Sequence, residues 1–143
     1  MYKIILSALL FLVFNSVNAQ DWLTNFDNAK VEANKKNQHI ILVFQGSDWC
    51  APCIKLNQEI WSSPEFITYS KEHFVMLKAD FPRKNKNKLV DAQQEKNNQL
   101  MEKYNKQGYF PFVAVLDKDG NVLGNTGYKK TSPAEYINLL NSF

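Results

Sequence analysis

Apolar residues occur along this chain in short runs that predict strands of a sheet. The run 40–44, Ile-Ile-Leu-Val-Phe, is continuous and too short for an independent helix, so it predicts a strand covered on both faces. The run 74–80 predicts a second strand. The runs 112–116 and 121–124 flank the turn sequence Asp-Lys-Asp-Gly at 117–120, and this arrangement predicts an antiparallel hairpin.

Segments with helical spacing of their apolar residues alternate with these strands. The segments 21–37, 50–61 and 89–106 mix apolar and polar residues at spacings typical of helices. Two more helices begin at serine caps followed by proline and glutamate, at 62–65 and 132–135. The resulting order is helix, strand, two helices, strand, helix, hairpin, helix, which predicts an α/β fold with a central mixed sheet flanked by helices.

The N-terminus has a different pattern. Lys3 gives a positive start, 4–14 is an almost unbroken apolar run, and 17–19 ends in the small residues that signal peptidase reads. Eleven apolar residues rise about 16 Å as a helix, roughly half of a ~30 Å hydrocarbon core, which argues against a membrane anchor. We expect residues 1–19 to be a cleaved signal peptide and residues 20–143 to form one exported domain without a stable membrane anchor.

The length of the chain limits the number of domains, and its net charge limits the kinds of partner that we expect. Removal of residues 1–19 leaves 124 residues, which suits one domain with a single hydrophobic core. It leaves 16 basic and 14 acidic side chains, a net charge of about +2. This balance is too weak to indicate nucleic acid, and no nucleic-acid partner is expected.

The candidate chemistry lies in the two cysteines, Cys50 and Cys53, which open the helix predicted after the strand 40–44. Backbone amides at a helix start favour a thiolate, and such settings lower a cysteine pKa from about 8.5 to between ~3.5 and ~7.5. Cys50 is therefore the candidate nucleophile, with an exposed sulfur, and Cys53, one turn further on, is the candidate resolving cysteine. Pro52 suits the first helical turn, and Trp49 is expected to cover one side.

Two other interpretations of the cysteine pair stay open on the residues alone. Disulfides are common in exported proteins, so the pair could be an inert cross-link. A tetrahedral zinc site would need two further ligands, for which only His39, His73 and carboxylates remain. The position at a helix start favours redox chemistry, which requires no bound cofactor or metal.

Several motifs resemble the thioredoxin superfamily over nearly the whole mature chain. They are Trp-Cys-Ala-Pro-Cys at 49–53 after an apolar strand, Phe110-Pro111 before a later strand, and Gly127 after the hairpin. The chain is also similar to exported bacterial thioredoxin-like proteins related to the C-terminal domain of the periplasmic thiol:disulfide interchange protein DsbD. That likeness rests on three stretches: 46–50, 63–66 and 75–82.

The resemblance implies a thioredoxin-like fold and a periplasmic or secreted thiol:disulfide oxidoreductase. It implies that Cys50 and Cys53 form a redox-active disulfide, and that Phe110-Pro111 is a cis-proline turn beside them, an ordinary trans proline being the alternative. Proline immediately before the second cysteine, as in thioredoxins, favours a reductase of protein disulfides, whose partner would be a membrane thiol-reductant donor. A disulfide oxidase or isomerase and a redox-inactive binding module remain alternatives.

Some positions depart from the family pattern. Phe44 stands where many cytoplasmic thioredoxins have a buried aspartate that assists proton transfer to the resolving cysteine, so Cys53 is expected to depend on water. Gly127 either leaves room near the active site or is a plain turn glycine. Segment 82–98, rich in lysine and asparagine, is interpreted as an insertion. Its first four cations either dock an acidic partner or are simply solvated: Arg83, Lys84, Lys86 and Lys88.

Overall fold

The computed structural model describes residues 19–143. The signal peptide predicted for residues 1–19 lies outside these residues, apart from Ala19. Within 19–143, no helix is both long enough and apolar enough to cross a bilayer.

Across residues 19–143 the chain forms five strands and five α-helices. The strands are β1 (Trp22–Leu23), β2 (His39–Gln45), β3 (Phe74–Asp80), β4 (Phe112–Leu116) and β5 (Val122–Thr126). The helices are α1 (Phe26–Lys36), α2 (Ala51–Leu56), α3 (Pro64–His73), α4 (Asp91–Tyr104) and α5 (Pro133–Asn141). A π-helical stretch, Asn57–Trp61, continues α2, and a 3-10 turn, Asn85–Asn87, precedes α4.

The strands form one mixed sheet in the order β1-β3-β2-β4-β5. Strands β1 and β2 run parallel to β3, whereas β4 runs antiparallel to both β2 and β5. Strand β2 is central, and its residues 40–44 are fully buried, as its continuous apolar run predicted. The prediction of a central mixed sheet flanked by helices is confirmed.

The two faces of the sheet carry different cores. On one face, α2, α3 and α5 pack around Trp61, whose ring contacts Phe66 and Tyr136 edge-on at centroid distances of 4.8 and 5.4 Å. On the other face, α1 and α4 contribute small and aliphatic residues such as Ala33 and Leu100. Both faces of β2 are thus covered, and packing fixes the strand end from which the chain runs to the cysteines.

The first predicted helix, 21–37, begins too early. Trp22 and Leu23 instead pair with Met76 and Leu77 of β3 as a two-residue parallel strand. Helix α1 begins only after Asn25, whose side chain accepts a hydrogen bond from the Asn28 amide at 3.0 Å. A two-residue strand is too short to produce an alternating pattern, and for that reason the sequence did not reveal it.

Candidate active site

The cysteines lie immediately beyond the carboxyl end of β2. The chain turns at Gly46, whose carbonyl accepts hydrogen bonds from the amides of Trp49 and Cys50 at 3.3 and 2.9 Å. Cys50 is the N-cap of α2, and its sulfur accepts a hydrogen bond from the Cys53 amide at 3.3 Å. Pro52 lies in the first turn, where the missing amide hydrogen is tolerated. The Cys50 sulfur therefore occupies the position of a capping oxygen.

Cys50 and Cys53 are joined by a disulfide, with their Cα atoms 5.2 Å apart. Cys50 is 4% exposed and Cys53 is 3% exposed. The expectation of an exposed Cys50 sulfur is therefore wrong for this disulfide form. The bond to Cys53 and the hydrogen bond from its amide both hold the Cys50 side chain against the start of the helix.

One side of the cysteine turn is formed by packed rings. The Trp49 indole donates a hydrogen bond to the Phe81 carbonyl at 2.7 Å and meets the Phe110 ring edge-on at 5.3 Å. Phe110 also contacts Phe81 at 5.5 Å, and the Arg83 guanidinium lies 3.6 Å above the centre of the Trp49 ring. These four residues form the aromatic flank: Trp49, Phe81, Arg83 and Phe110.

The peptide bond between Phe110 and Pro111 is cis, as the family resemblance implied. A Cβ atom on Gly127 would lie 3.3 Å from the Pro111 carbonyl oxygen, so glycine at this position allows the two segments to approach closely. The turn before Phe110 is held by Asn105, which is 3% exposed. Its side chain accepts from the Tyr109 amide and donates to the Tyr109 carbonyl, at 3.0 and 2.9 Å.

The other side of the turn is a cavity of about 240 Å³ beside Cys53. Four side chains that end in an amide or ammonium group line it and are called the polar flank: Gln45, Asn57, Gln58 and Lys78. The remaining lining residues are Trp22, Ser47, Cys53 and Ile54. A polar cavity of this size has room for several water molecules beside Cys53.

The carboxylates nearest the cysteines in sequence have other partners. Phe44, at the position of the aspartate in many thioredoxins, packs against Phe112 in the core at a centroid distance of 6.1 Å. Glu59 accepts a hydrogen bond from the Tyr128 hydroxyl at 2.8 Å, and this bond raises the pKa of Tyr128 above its ordinary value.

The part of the chain that the structure describes contains no cluster of three or more His, Cys, Asp or Glu residues able to hold a metal ion.

Asp48 attaches a distant loop to the cysteine turn. Its carboxylate accepts hydrogen bonds from the amides of Arg83 and Lys84, both at 3.0 Å, and from the Asn87 side chain at 2.9 Å. The Arg83 amide and the Asn87 side chain are the main reasons why the pKa of Asp48 lies below its ordinary value. Next to it, the Ser47 amide and hydroxyl donate to Asp80 at 3.0 and 2.6 Å.

Of the six predicted site residues, Trp49, Cys50, Pro52 and Cys53 lie at one turn, and Phe110, which precedes the cis Pro111, contacts Trp49. Sequence reasoning missed the contributions of Phe81, Asn105 and Lys78. Phe81 was marked only by its place directly after a predicted strand, and Asn105 only by its place near a helix end. Lys78 had a clearer signal, since it is the one charged residue inside an otherwise apolar strand run, 74–79.

Comparison with known proteins agrees with this architecture. A family model described as thioredoxin-like matches residues 21–118. The disulfide bond reductase DsbH of Chlamydia pneumoniae is 32% identical over 118 residues, which cover 82% of this chain and 69% of that protein. A solved structure described as DsbH oxidoreductase superposes with a TM-score of 0.80 at 31% identity, over 87% of this chain and 84% of the other.

A more distant neighbour has the same fold. The C-terminal domain of DsbD from Neisseria meningitidis, in its oxidised form, superposes with a TM-score of 0.56 at 18% identity. That superposition covers 81% of this chain and 90% of the domain. At this identity the likeness concerns the fold alone.

Proposed function

The chain belongs to the thioredoxin-like family, and on that premise we propose that it is a thiol:disulfide oxidoreductase that reduces disulfides in exported proteins. The observation that carries the proposal is the placement of the Cys50 sulfur as the cap of α2, bonded to Cys53 one turn further on. The likeness to a relative named disulfide bond reductase supports the reducing direction. Proline at position 52, as in thioredoxins, also supports it.

In the reducing direction the cycle begins with both cysteines as thiols. The Cys53 amide, which lies 3.3 Å from the Cys50 sulfur in the disulfide form, favours the Cys50 thiolate. This thiolate attacks one sulfur of the substrate disulfide, forming a mixed disulfide, and the other substrate sulfur leaves and takes a proton. The Cys53 thiolate then attacks the Cys50 sulfur, which releases the second substrate thiol and closes the Cys50–Cys53 bond.

The two sides of the turn have separate tasks in this cycle. The cis turn at Phe110-Pro111, together with the aromatic flank, offers an extended substrate segment a surface next to the Cys50 sulfur. The cavity beside Cys53 gives water access to the resolving thiol, which must lose its proton before it attacks. Water and the polar flank thus replace the carboxylate that Phe44 cannot supply.

The proposed setting is the periplasm or the extracellular space, reached through the signal peptide of residues 1–19. A reductase in an oxidising compartment requires a supply of electrons, so the proposed partner is a membrane thiol-reductant donor that restores the Cys50–Cys53 dithiol. Mass spectrometry of the exported protein tests the first point. The expected mature N-terminus is Gln20, and retention of residues 1–19 on the exported form would contradict the proposal.

One observation favours a second candidate function, a redox-inactive binding module. Both cysteines are nearly buried in the disulfide form, which is typical of structural disulfides. In that case the pair would be a cross-link and the aromatic flank would bind a partner. The two candidates differ in whether the disulfide is reduced and re-formed during function.

Turnover of a model protein disulfide with a small dithiol as electron donor separates these functions. We expect Cys50→Ser to abolish turnover and Cys53→Ser to trap a covalent complex with the substrate, because its mixed disulfide lacks the resolving thiol. Equal residual turnover in the two variants would rule out the proposed mechanism. Equilibration with glutathione gives the direction: a potential near −270 mV is typical of thioredoxin, and one near −120 mV would indicate an oxidase.

A further inference from the structure

Four cations are concentrated in the six residues 83–88. Their side chains are exposed, and none of them forms a salt bridge with an acidic residue within the described chain: Arg83, Lys84, Lys86 and Lys88. The salt bridges that the structure contains between residues 19 and 143 are short-range pairs within α1. The charge of this loop is therefore available to a partner.

Residues 83–88 are held in place by contacts that do not involve their lysine side chains. Asp48 binds the backbone amides of Arg83 and Lys84 and the side chain of Asn87. The Arg83 guanidinium is stacked on the Trp49 ring, one residue before Cys50. An ordinary solvated loop has no such attachment, so the backbone that carries these cations has a fixed position at the rim of the cysteine turn.

The two carboxylates near this rim, Asp48 and Asp80, offset only part of the positive charge, because residues 83–88 contain four cations. Asp48 is surrounded by three donors, and Asp80 accepts from both the amide and the hydroxyl of Ser47. The Debye length is about 8 Å at physiological ionic strength, so exposed cations act on charges that come within this distance of the loop. Phe110 contacts the Trp49 ring, and the Arg83 guanidinium is stacked on that ring. A substrate segment bound at the Phe110-Pro111 turn would therefore lie close to Arg83.

We propose that residues 83–88 form a docking surface for acidic residues that flank the disulfide of a substrate protein. This inference rests on the proposed function and adds the substrate class to it. A protein substrate is favoured over an anionic membrane because the cations are attached to the flank of the reacting sulfurs, where they select what reaches Cys50. A membrane-binding surface would need no such attachment to the cysteine turn.

Three peptides with the same internal disulfide, flanked by glutamate, glutamine or lysine, test the proposal. We expect kcat/KM to be highest for the acidic peptide and lowest for the basic one. At low salt the acidic peptide should exceed the neutral one by about tenfold, the lower end of electrostatic steering effects. The difference should vanish near 1 M salt, where the Debye length is about 3 Å. Equal values for the three peptides at low salt would overturn the proposal.

Two triple variants with the same change in net charge test whether the lysines of the loop cause the preference for the acidic peptide. Lys84→Glu/Lys86→Glu/Lys88→Glu should invert the order of the peptides while leaving the Asp48 contacts to the backbone intact. The control, Lys35→Glu/Lys36→Glu/Lys118→Glu, makes the same change in net charge at the opposite end of β2. This control should preserve the order of the peptides. An equal loss of preference in both triple variants would overturn the assignment to the loop.

The variant Asp48→Ala separates position from charge, since it removes the attachment and also makes the protein more positive. The measured quantity is kcat/KM of the acidic peptide divided by that of the neutral one, so any general loss of activity cancels. If the cations act because Asp48 holds the loop beside the cysteine turn, this ratio should be lower in Asp48→Ala than in the wild type. A higher ratio would mean that net charge alone attracts the peptide and would overturn the proposal.

The neutral peptide keeps this test distinct from that of the proposed function. Turnover of the neutral peptide without any preference for acidic flanks would overturn the docking surface alone, whereas absence of turnover would contradict the oxidoreductase itself. Vesicles of phosphatidylglycerol provide the comparison with a membrane. Binding to them that the lysine variant loses, together with equal turnover of the three peptides, would replace the proposal by a membrane surface.

Discussion

The two sides of the Cys50–Cys53 pair are built from opposite kinds of residue. The aromatic flank is packed onto the face of the sheet covered by α1 and α4, and each of its rings contacts another ring or the Arg83 guanidinium. The polar flank, on the face covered by α2, α3 and α5, surrounds a cavity. In the proposed mechanism, this contrast gives Cys50 an ordered contact surface and gives Cys53 access to water.

The largest expected effect comes from Gly46→Ala, which breaks the aromatic flank. A Cβ at this position would overlap the Trp49 ring and would lie 2.6 Å from its Cζ2 atom. The indole must then move away from Phe81 and Phe110, and overpacking of this kind costs about 1–3 kcal/mol. Denaturant unfolding measures the loss of stability.

Gly127→Ala is the matched control for that substitution. Its Cβ would meet the Pro111 carbonyl oxygen at 3.3 Å, a tight contact that a small shift relieves. We expect it to lower the free energy of unfolding by less than Gly46→Ala does. Equal stability of the two variants would mean that the Trp49 ring is not held as the structure describes.

The next effect concerns the polar flank. The double variant Gln45→Leu/Lys78→Met removes two polar groups from the cavity beside Cys53. We expect kcat to fall by about tenfold near neutral pH, a part of the 10²-fold or more that positioned proton-transfer groups contribute, with mixed disulfide accumulating. The deficit should shrink as pH rises, because the Cys53 thiol then ionises without assistance.

Lys55→Met is the control for the cavity variant. It makes one of the same Lys→Met changes on α2, at an exposed position that does not line the cavity. Turnover and its pH dependence should stay those of the wild type. An equal deficit in the control, or a deficit in the double variant that is constant with pH, would contradict a role of the cavity in proton transfer.

The parts of the site that follow from local pattern could be predicted from the sequence. The apolar run 40–44 predicted β2, and Pro52 with the two cysteines predicted a helix that starts at Cys50. The attachment of residues 83–87 to Asp48 could not be predicted. It joins residues 35 to 39 positions apart through hydrogen bonds that exist only once β2 and β3 are paired.

Phe44 and Lys78 show that the sequence can predict a property of the site without revealing which residues provide it. The sequence placed Phe44 where a carboxylate is usual and led to the expectation that Cys53 depends on water. It did not show which polar residues line the cavity beside Cys53, because Lys78 belongs to a different strand from Gln45. The register between β2 and β3, with Gln45 opposite Asp80, fixes which polar side chains share the cavity.

A smaller effect is expected from Trp49→Phe, which keeps a ring in the aromatic flank but removes its hydrogen bond to the Phe81 carbonyl. Loss of that bond should lower the free energy of unfolding by about 1 kcal/mol. Trp22→Phe is the control on the opposite side, where the indole lines the cavity and meets Trp61 edge-on. A smaller loss for Trp49→Phe than for Trp22→Phe would argue that the indole bond contributes little.

The smallest effect is a shift in the titration of Asp48, measured by NMR of its carboxyl group. Because the folded-state pKa is depressed, its stabilising contribution is present above the ordinary value of 3.8 and is lost as pH falls through the folded value. Asn87→Ala removes one donor and should raise the pKa of Asp48. The pKa of Asp117, lowered by Asn121, should not change. An Asp48 that titrates at 3.8 in both proteins would contradict the attachment.

The rate of Cys50 alkylation in the reduced protein, followed against pH by mass spectrometry, tests the central claim most directly. If the amide at the start of α2 stabilises the thiolate, the reaction will have a midpoint well below the ~8.5 of an ordinary cysteine, and Cys53 will react later. A midpoint at or above 8.5, or a Cys50 that reacts only after unfolding, would contradict the account.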